Sequence, residues 1–156
     1  MHPKVMEALE RAHISYVVRN HADVPVPIHT PQDFADVLGY PLERITKSVL
    51  FCGEPQKKYC MVVCSINKKI NLALLAEYAH CKRMHIASTE ELKRITDYPA
   101  KGVAPIGVEA VPVYIDGQLS ALPTVLVGGG TVGVEVELAP SDLKDSTGAT
   151  VVDITL

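Results

Sequence analysis

Apolar positions along this chain change period several times, and each change marks an element. Val5, Ala8, Leu9 and Ala12 recur at helical spacing, which predicts an amphipathic helix over 4–12. Ser15-Tyr16-Val17-Val18-Arg19 reads as a strand, and Pro25 and Pro27 force His21 to His29 into an extended loop. Thr30, Pro31 and Asp33 then supply a helix cap, a first-turn proline and a carboxylate able to reach back to orphan N–H groups. Phe34, Val37 and Leu38 give that helix a core-facing stripe, and Gly39 stops it.

The alternating run Ile45-Thr46-Lys47-Ser48-Val49-Leu50-Phe51 predicts a strand, with a turn over Gly53-Glu54-Pro55-Gln56 and a return over Lys58 to Ser65. The near-continuous apolar run Tyr59 to Cys64 suits a strand buried on both faces. Leu72, Leu75, Ala76 and Ala79 predict another helix; Ser88 opens a further one, with Glu91 at the capping-box position and Arg94 near its end. Short strands are expected over 83–87, 111–115, 124–127, 132–138 and 149–154. In 132–138, valines and Leu138 alternate with Gly133, Glu135 and Glu137, which predicts a half-exposed strand. No repeat, low-complexity run or linker interrupts the pattern, so the expectation is one α+β domain over residues 1–156.

Lys47 breaks the rule of its own strand. Parity puts it on one face with Ile45, Val49 and Phe51, and a half-buried ammonium is costly without an anion or polar partners. It is a candidate for binding or catalysis; the alternative is a lysine at a sheet margin whose stem packs while its head reaches water. Composition changes this picture little: 156 residues, 47% of them hydrophobic, suffice for a core without disulfides or metals. The start is polar within a few residues and no apolar run approaches the ~20 residues of a membrane span. The expectation is a cytoplasmic protein with no membrane partner.

Charge matters more once resolved along the chain. Residues 57–101 hold nine basic side chains and four acidic ones, a balance of +5, whereas the remainder carries −8. That asymmetry suits a polyanion, although basic pairs at turns are commonly just solvated ends of elements. The four cysteines, Cys52, Cys60, Cys64 and Cys81, lack the C-x-x-C spacing of a structural zinc site; only Cys81 with His80 and His85 keeps metal binding open.

Two glycine loops stand out. Lys101-Gly102-Val103-Ala104-Pro105-Ile106-Gly107 lets backbone approach a ligand and has N–H groups suited to an anion or a developing oxyanion. Gly128-Gly129-Gly130-Thr131 matches neither a dinucleotide fingerprint nor a P-loop; it is a hairpin turn or a space for a flat group. No G-x-S-x-G or H-E-x-x-H occurs, so serine-triad and zincin chemistry find no support.

Taken together, Asn20-His21, the helix Thr30 to Gly39, the lysine-bearing strand, Thr96 to Gly107, Val127 to Leu138 and Pro140-Ser141-Asp142-Leu143 resemble the YbaK/ProX family of aminoacyl-tRNA deacylases. The chain is also similar to the editing insertion of bacterial prolyl-tRNA synthetases. The resemblance implies a mixed, mostly antiparallel twisted sheet or partial barrel flanked by helices. It implies hydrolysis of the ester joining a small noncognate amino acid to the 3′ acceptor end of a tRNA, with no cofactor and no metal. Lys47 is then expected to position the tRNA end, and backbone N–H groups around Gly102 to polarise the carbonyl that water attacks. Arg19, His21, Lys101, Val103, Ala104, Pro105, Gly128, Gly129, Gly130, Thr131 and Glu135 are expected to contact substrate. A synthetase partner is compatible with the resemblance, and DNA is not expected. Lys101 replaces a common glycine, Ala104 a frequent serine or threonine, Gly128 a serine of some relatives, and Arg19 a tyrosine. The alternative is a noncatalytic module of the same fold that binds tRNA or a synthetase.

Overall fold

The computed structural model describes all 156 residues, and its helices begin where capping chemistry puts them. Helix α1 (Pro3–Arg11) buries Val5 and Leu9, and strand β1 (Val17–Asn20) follows. In α2 (Pro31–Leu38) the Thr30 hydroxyl accepts from the Asp33 N–H while the Asp33 carboxylate accepts from the Thr30 N–H, and Gly39 ends the helix at φ 70°. Asn71 caps α3 (Leu72–Ala79), and Ser88 with Glu91 repeats the capping box on α4 (Thr89–Thr96).

Strands β2 (Thr46–Glu54) and β3 (Lys58–Ser65) form the expected hairpin, and β4 (Arg83–Ile86) pairs antiparallel with the far half of β2. Strands β5 (Val113–Asp116) and β8 (Thr150–Val152) add in parallel beyond β3, giving the order β4-β2-β3-β5-β8. A second, antiparallel sheet has the order β1-β7-β6, with β6 spanning Val125–Gly128 and β7 Val134–Leu138. Four of the six pairings are antiparallel, as expected, but the sheets do not close into a barrel. Outside the ladders, an isolated parallel bridge from Ile45 to Leu126 joins the two sheets.

The main core lies between the sheets: Val5 and Leu9 of α1 meet Leu50, Met61 and Val63 from one side and Val125, Val127 and Val136 from the other. A second core lies beneath α3, where Phe51, Cys60 and Val62 pack with Leu75. Strand β3 feeds both, so it is buried from Cys60 to Ser65 as its continuous apolar run predicts. A third cluster, Phe34, Ala35, Ile45 and Leu126, seats α2 on the outer face of the three-stranded sheet.

That third cluster corrects two expectations. Ile45 does not share an environment with Val49 and Phe51, because it precedes β2 and packs against Phe34 and Leu126. Strand β7 is not half-exposed either: Glu137 is 7% exposed, since α2 and its neighbouring loops cover the face that alternation assigns to solvent. The helix α5 (Pro140–Thr147) was not expected; it buries only Leu143, too little for a visible apolar stripe, although Pro140 at its start and Gly148 at φ 65° punctuate it.

Candidate functional site

A cleft of about 510 Å³ opens at the seam between the two sheets. Ile45 and the first residues of β2, Thr46, Lys47 and Ser48, form one wall; His21, Ile28, Thr30 and Phe34 form a second. Lys101, Gly102 and Val103 form a third, and Gly128 with Val132 to Glu135 completes the enclosure. The volume suits a small-molecule or nucleoside-sized group.

Lys47 is half-buried, and its Nζ donates to the Lys68 carbonyl at 2.6 Å with no carboxylate in ion-pair range. The ammonium is thus held by a neutral dipole rather than by a counter-ion. Beside it, Ser48 Oγ is the one buried side-chain polar atom in the chain without a hydrogen-bond partner. Thr46, two residues away on the same strand face, donates to the Leu126 carbonyl at 2.7 Å, so the orphaned hydroxyl is specific to Ser48.

Across the cleft His21 Nε2 lies 2.8 Å from Glu135 Oε2, and the imidazole meets Phe34 edge-on at 4.4 Å. Burial raises the Glu135 pKa, and the His21 hydrogen bond and charge offset this only in part. The pair lines the same cleft as the lysine.

The glycines do something other than make room for a ligand. A Cβ on Gly102 would lie 2.6 Å from the Thr131 carbonyl carbon, and one on Gly128 would collide with the Val103 carbonyl oxygen. The two loops therefore cross backbone against backbone. A Cβ on Gly130, at φ 79°, would meet His2 at 2.5 Å and the Tyr98 ring at 2.9 Å, while one on Gly129 would meet Val134, and the Gly129 carbonyl accepts from the His2 N–H at 2.9 Å. Tyr98, fully buried, donates its hydroxyl to the Ile106 carbonyl and pins the loop from behind. Within that loop the Gly102 N–H is committed to the Pro99 carbonyl at 3.0 Å, whereas the N–H of Val103 has no acceptor in the chain.

Of the residues expected to contact substrate, Lys47, His21, Lys101, Gly102, Val103, Gly128 and Glu135 meet at the cleft. Six do not. Ala104 and Pro105 are buried behind the loop, Gly129 and Gly130 are packed as described, and Thr131 is an exposed support for Gly102. Arg19 turns to Glu137, donating at 2.8 Å. Tyr40 and Thr124 also donate to that carboxylate, at 2.9 and 2.6 Å, and Arg44 lies 3.3 Å from it. Burial opposes the Glu137 charge, but the hydrogen bonds from Thr124, Arg19 and Tyr40 outweigh it and leave the pKa lowered. Cleft residues not singled out in the sequence include Ser48, Phe34, Ile45 and Val134; the order Lys47-Ser48 was visible, the missing partner of Ser48 was not.

The chain's group of three metal-ligating side chains, Cys52, Glu54 and His85, lies at the other end of β2, away from the cleft. Residues 25–146, most of the chain and the whole cleft except His21, match the family model described as the aminoacyl-tRNA editing domain. The chain belongs to that family. This editing domain is 32% identical over 114 residues to proline–tRNA ligase of Lactobacillus acidophilus, covering 72% of the chain and 20% of the ligase. The chain thus spans about a fifth of the length of that relative. It is 26% identical to EbsC of Enterococcus faecalis, provisionally named a Cys-tRNA(Pro)/Cys-tRNA(Cys) deacylase, over 80% of the chain and 76% of that protein. A crystal structure provisionally described as a trans-editing enzyme for prolyl-tRNA synthetase superposes with a TM-score of 0.83 at 27% identity, covering 100% of this chain and 99% of that one.

Proposed function

We propose that this editing domain is a deacylase that hydrolyses, in trans, the ester of a tRNA carrying a small noncognate amino acid. The observation that carries the proposal is Lys47: a half-buried ammonium without a carboxylate partner, facing a cleft of about 510 Å³ in an editing-domain fold. Lys47 exchanges the Lys68 carbonyl for the phosphate or ribose of the tRNA 3′ end and so fixes the ester. The donor toward the ester carbonyl is a free N–H of the loop at Lys101 or Val103, because that of Gly102 is already used. One such donor is worth about 10² to 10³ in rate. Water is the nucleophile, with a substrate hydroxyl helping to activate it. The wall of Phe34, Ile45, Val103 and Val134 suits a small side chain.

A deacylation panel of mischarged tRNAs, run with wild type and Lys47→Ala, tests this. The expected result is turnover on at least one substrate that the variant loses while its melting temperature is kept. No turnover on any substrate, with tRNA binding intact, would establish the noncatalytic module instead.

A further inference from the structure

The third of β2 farthest from Lys47 carries a set of side chains that editing does not use. Cys52 and His85 are direct cross-strand partners on β2 and β4, and Glu54 lies two residues along β2 on the same face. The Cys52 sulfur, the nearer Glu54 oxygen and a His85 ring nitrogen all lie within 4.8 Å of one another. Cys52 Sγ and Glu54 Oε1 are 3.9 Å apart. Tetrahedral zinc, with sulfur at about 2.3 Å and oxygen at about 2.0 Å, needs these two ligands about 3.5 Å apart, so small side-chain rotations close the site. Neither the Glu54 carboxylate nor the His85 ring enters an ion pair, although Arg83 stands opposite Glu54 in the ladder.

The exposure of the three residues is graded. Cys52 is buried, Glu54 intermediate and His85 exposed, so the set opens to solvent on one side. A thiolate, an imidazole and a carboxylate with one position left for water form a donor set for a borderline divalent cation rather than for magnesium or calcium. We propose that Cys52, Glu54 and His85 form a three-ligand site for a zinc-class cation, tying the edge strand β4 to β2. Binding releases the thiol proton of Cys52 to solvent and forms a metal–thiolate bond; no oxidant or reductant is involved.

The grouping also replaces the one suggested by sequence proximity. Cys81 packs against Gly53, whose side-chain direction is opposite to that of Cys52, and its thiol donates to the Ala79 carbonyl at 3.5 Å. His85 therefore pairs with Cys52 across the ladder, 33 positions away in the chain.

The test is titration of the reduced, tag-free full chain with zinc, and with cobalt as a spectroscopic stand-in. Expected are one equivalent bound, a sulfur-to-cobalt charge-transfer band, a higher melting temperature with zinc, and loss of the band in Cys52→Ser. His85→Ala and Glu54→Gln alter more accessible positions and serve if Cys52→Ser folds poorly; each should weaken zinc binding by at least about 10–100-fold. Absence of binding, a band that persists in Cys52→Ser, or unchanged affinity in His85→Ala overturns the proposal.

Discussion

Ser48 is the residue at which stability and activity should part company. A buried hydroxyl without a partner costs about 1–3 kcal/mol, so Ser48→Ala should leave the ligand-free protein as stable as wild type or about 1 kcal/mol more so. If the hydroxyl meets substrate, the same change lowers kcat/KM about 10-fold or more. Urea unfolding and deacylation kinetics on one preparation check both halves. Lys47 was legible as an anomaly from strand parity, which left a snorkelling lysine at a sheet margin equally open. Ser48 was not, because a serine looks the same whether or not its hydroxyl finds an acceptor. Nor did the sequence show that Arg19, expected from the resemblance to contact substrate, donates at 2.8 Å to Glu137, 118 positions on.

Among the elements, β7 departs furthest from its pattern. Its clean alternation correctly gave a strand but predicted solvent for Glu135 and Glu137, since period reports two faces without saying what covers the second. Glu137 now reads as the structural anchor of that face, held by Arg19, Tyr40, Arg44 and Thr124. Glu137→Ala leaves Arg19 and Arg44 unpaired and should cost about 3 kcal/mol in denaturant unfolding. The sign of its pH dependence follows from its lowered pKa: stabilisation is full above the ordinary carboxylate value and is lost as pH falls through the folded one. Glu91, lowered from 4.5 to about 2 by hydrogen bonds from Tyr59 and the Ser88 N–H, adds a loss of the same sign between those values. Melting temperatures should therefore fall on acidification through that window, less steeply in Glu137→Gln. The glycine loops were legible as unusual but not as crossing backbones. Gly128→Ala should push the Val103 loop outward and lower turnover with Lys47 untouched, measurable as reduced kcat together with a lower melting temperature.

For the whole molecule, the basic segment 57–101 is split by the fold. Lys57, Lys58, Lys82 and Arg83 gather around the β2–β3 turn and the start of β4, whereas Lys68 and Lys101 flank the cleft. Along β2 the two groups stand about 20 Å apart, given a rise of roughly 3.4 Å per residue. Charge counting along the chain could not reveal this, because the antiparallel pairing of β4 with β2 brings residues 54 and 83 side by side and leaves residue 47 at the far end of the strand. If the cleft receives a tRNA end, replacing Lys68 and Lys101 by alanine should weaken tRNA binding and lower its log–log salt slope by about 0.7–0.9 for each phosphate no longer neutralised. Filter binding across a salt series, with Lys57→Ala as the comparison, reads the difference.

The unequal pairing of β2 has a temporal consequence. From Phe51 to Gly53 the strand is laddered on both sides, but over Thr46–Ser48 its ladder runs to β3 alone, with the Ile45 bridge standing in for a second neighbour. Native-state amide exchange should therefore be slowest around Cys52 and faster around Ser48, because fewer bonds need to open there. A strand stitched tightly at one end and loosely at the other lets the wall that holds Lys47 shift without loosening the sheet, and bound substrate should slow exchange at that end first.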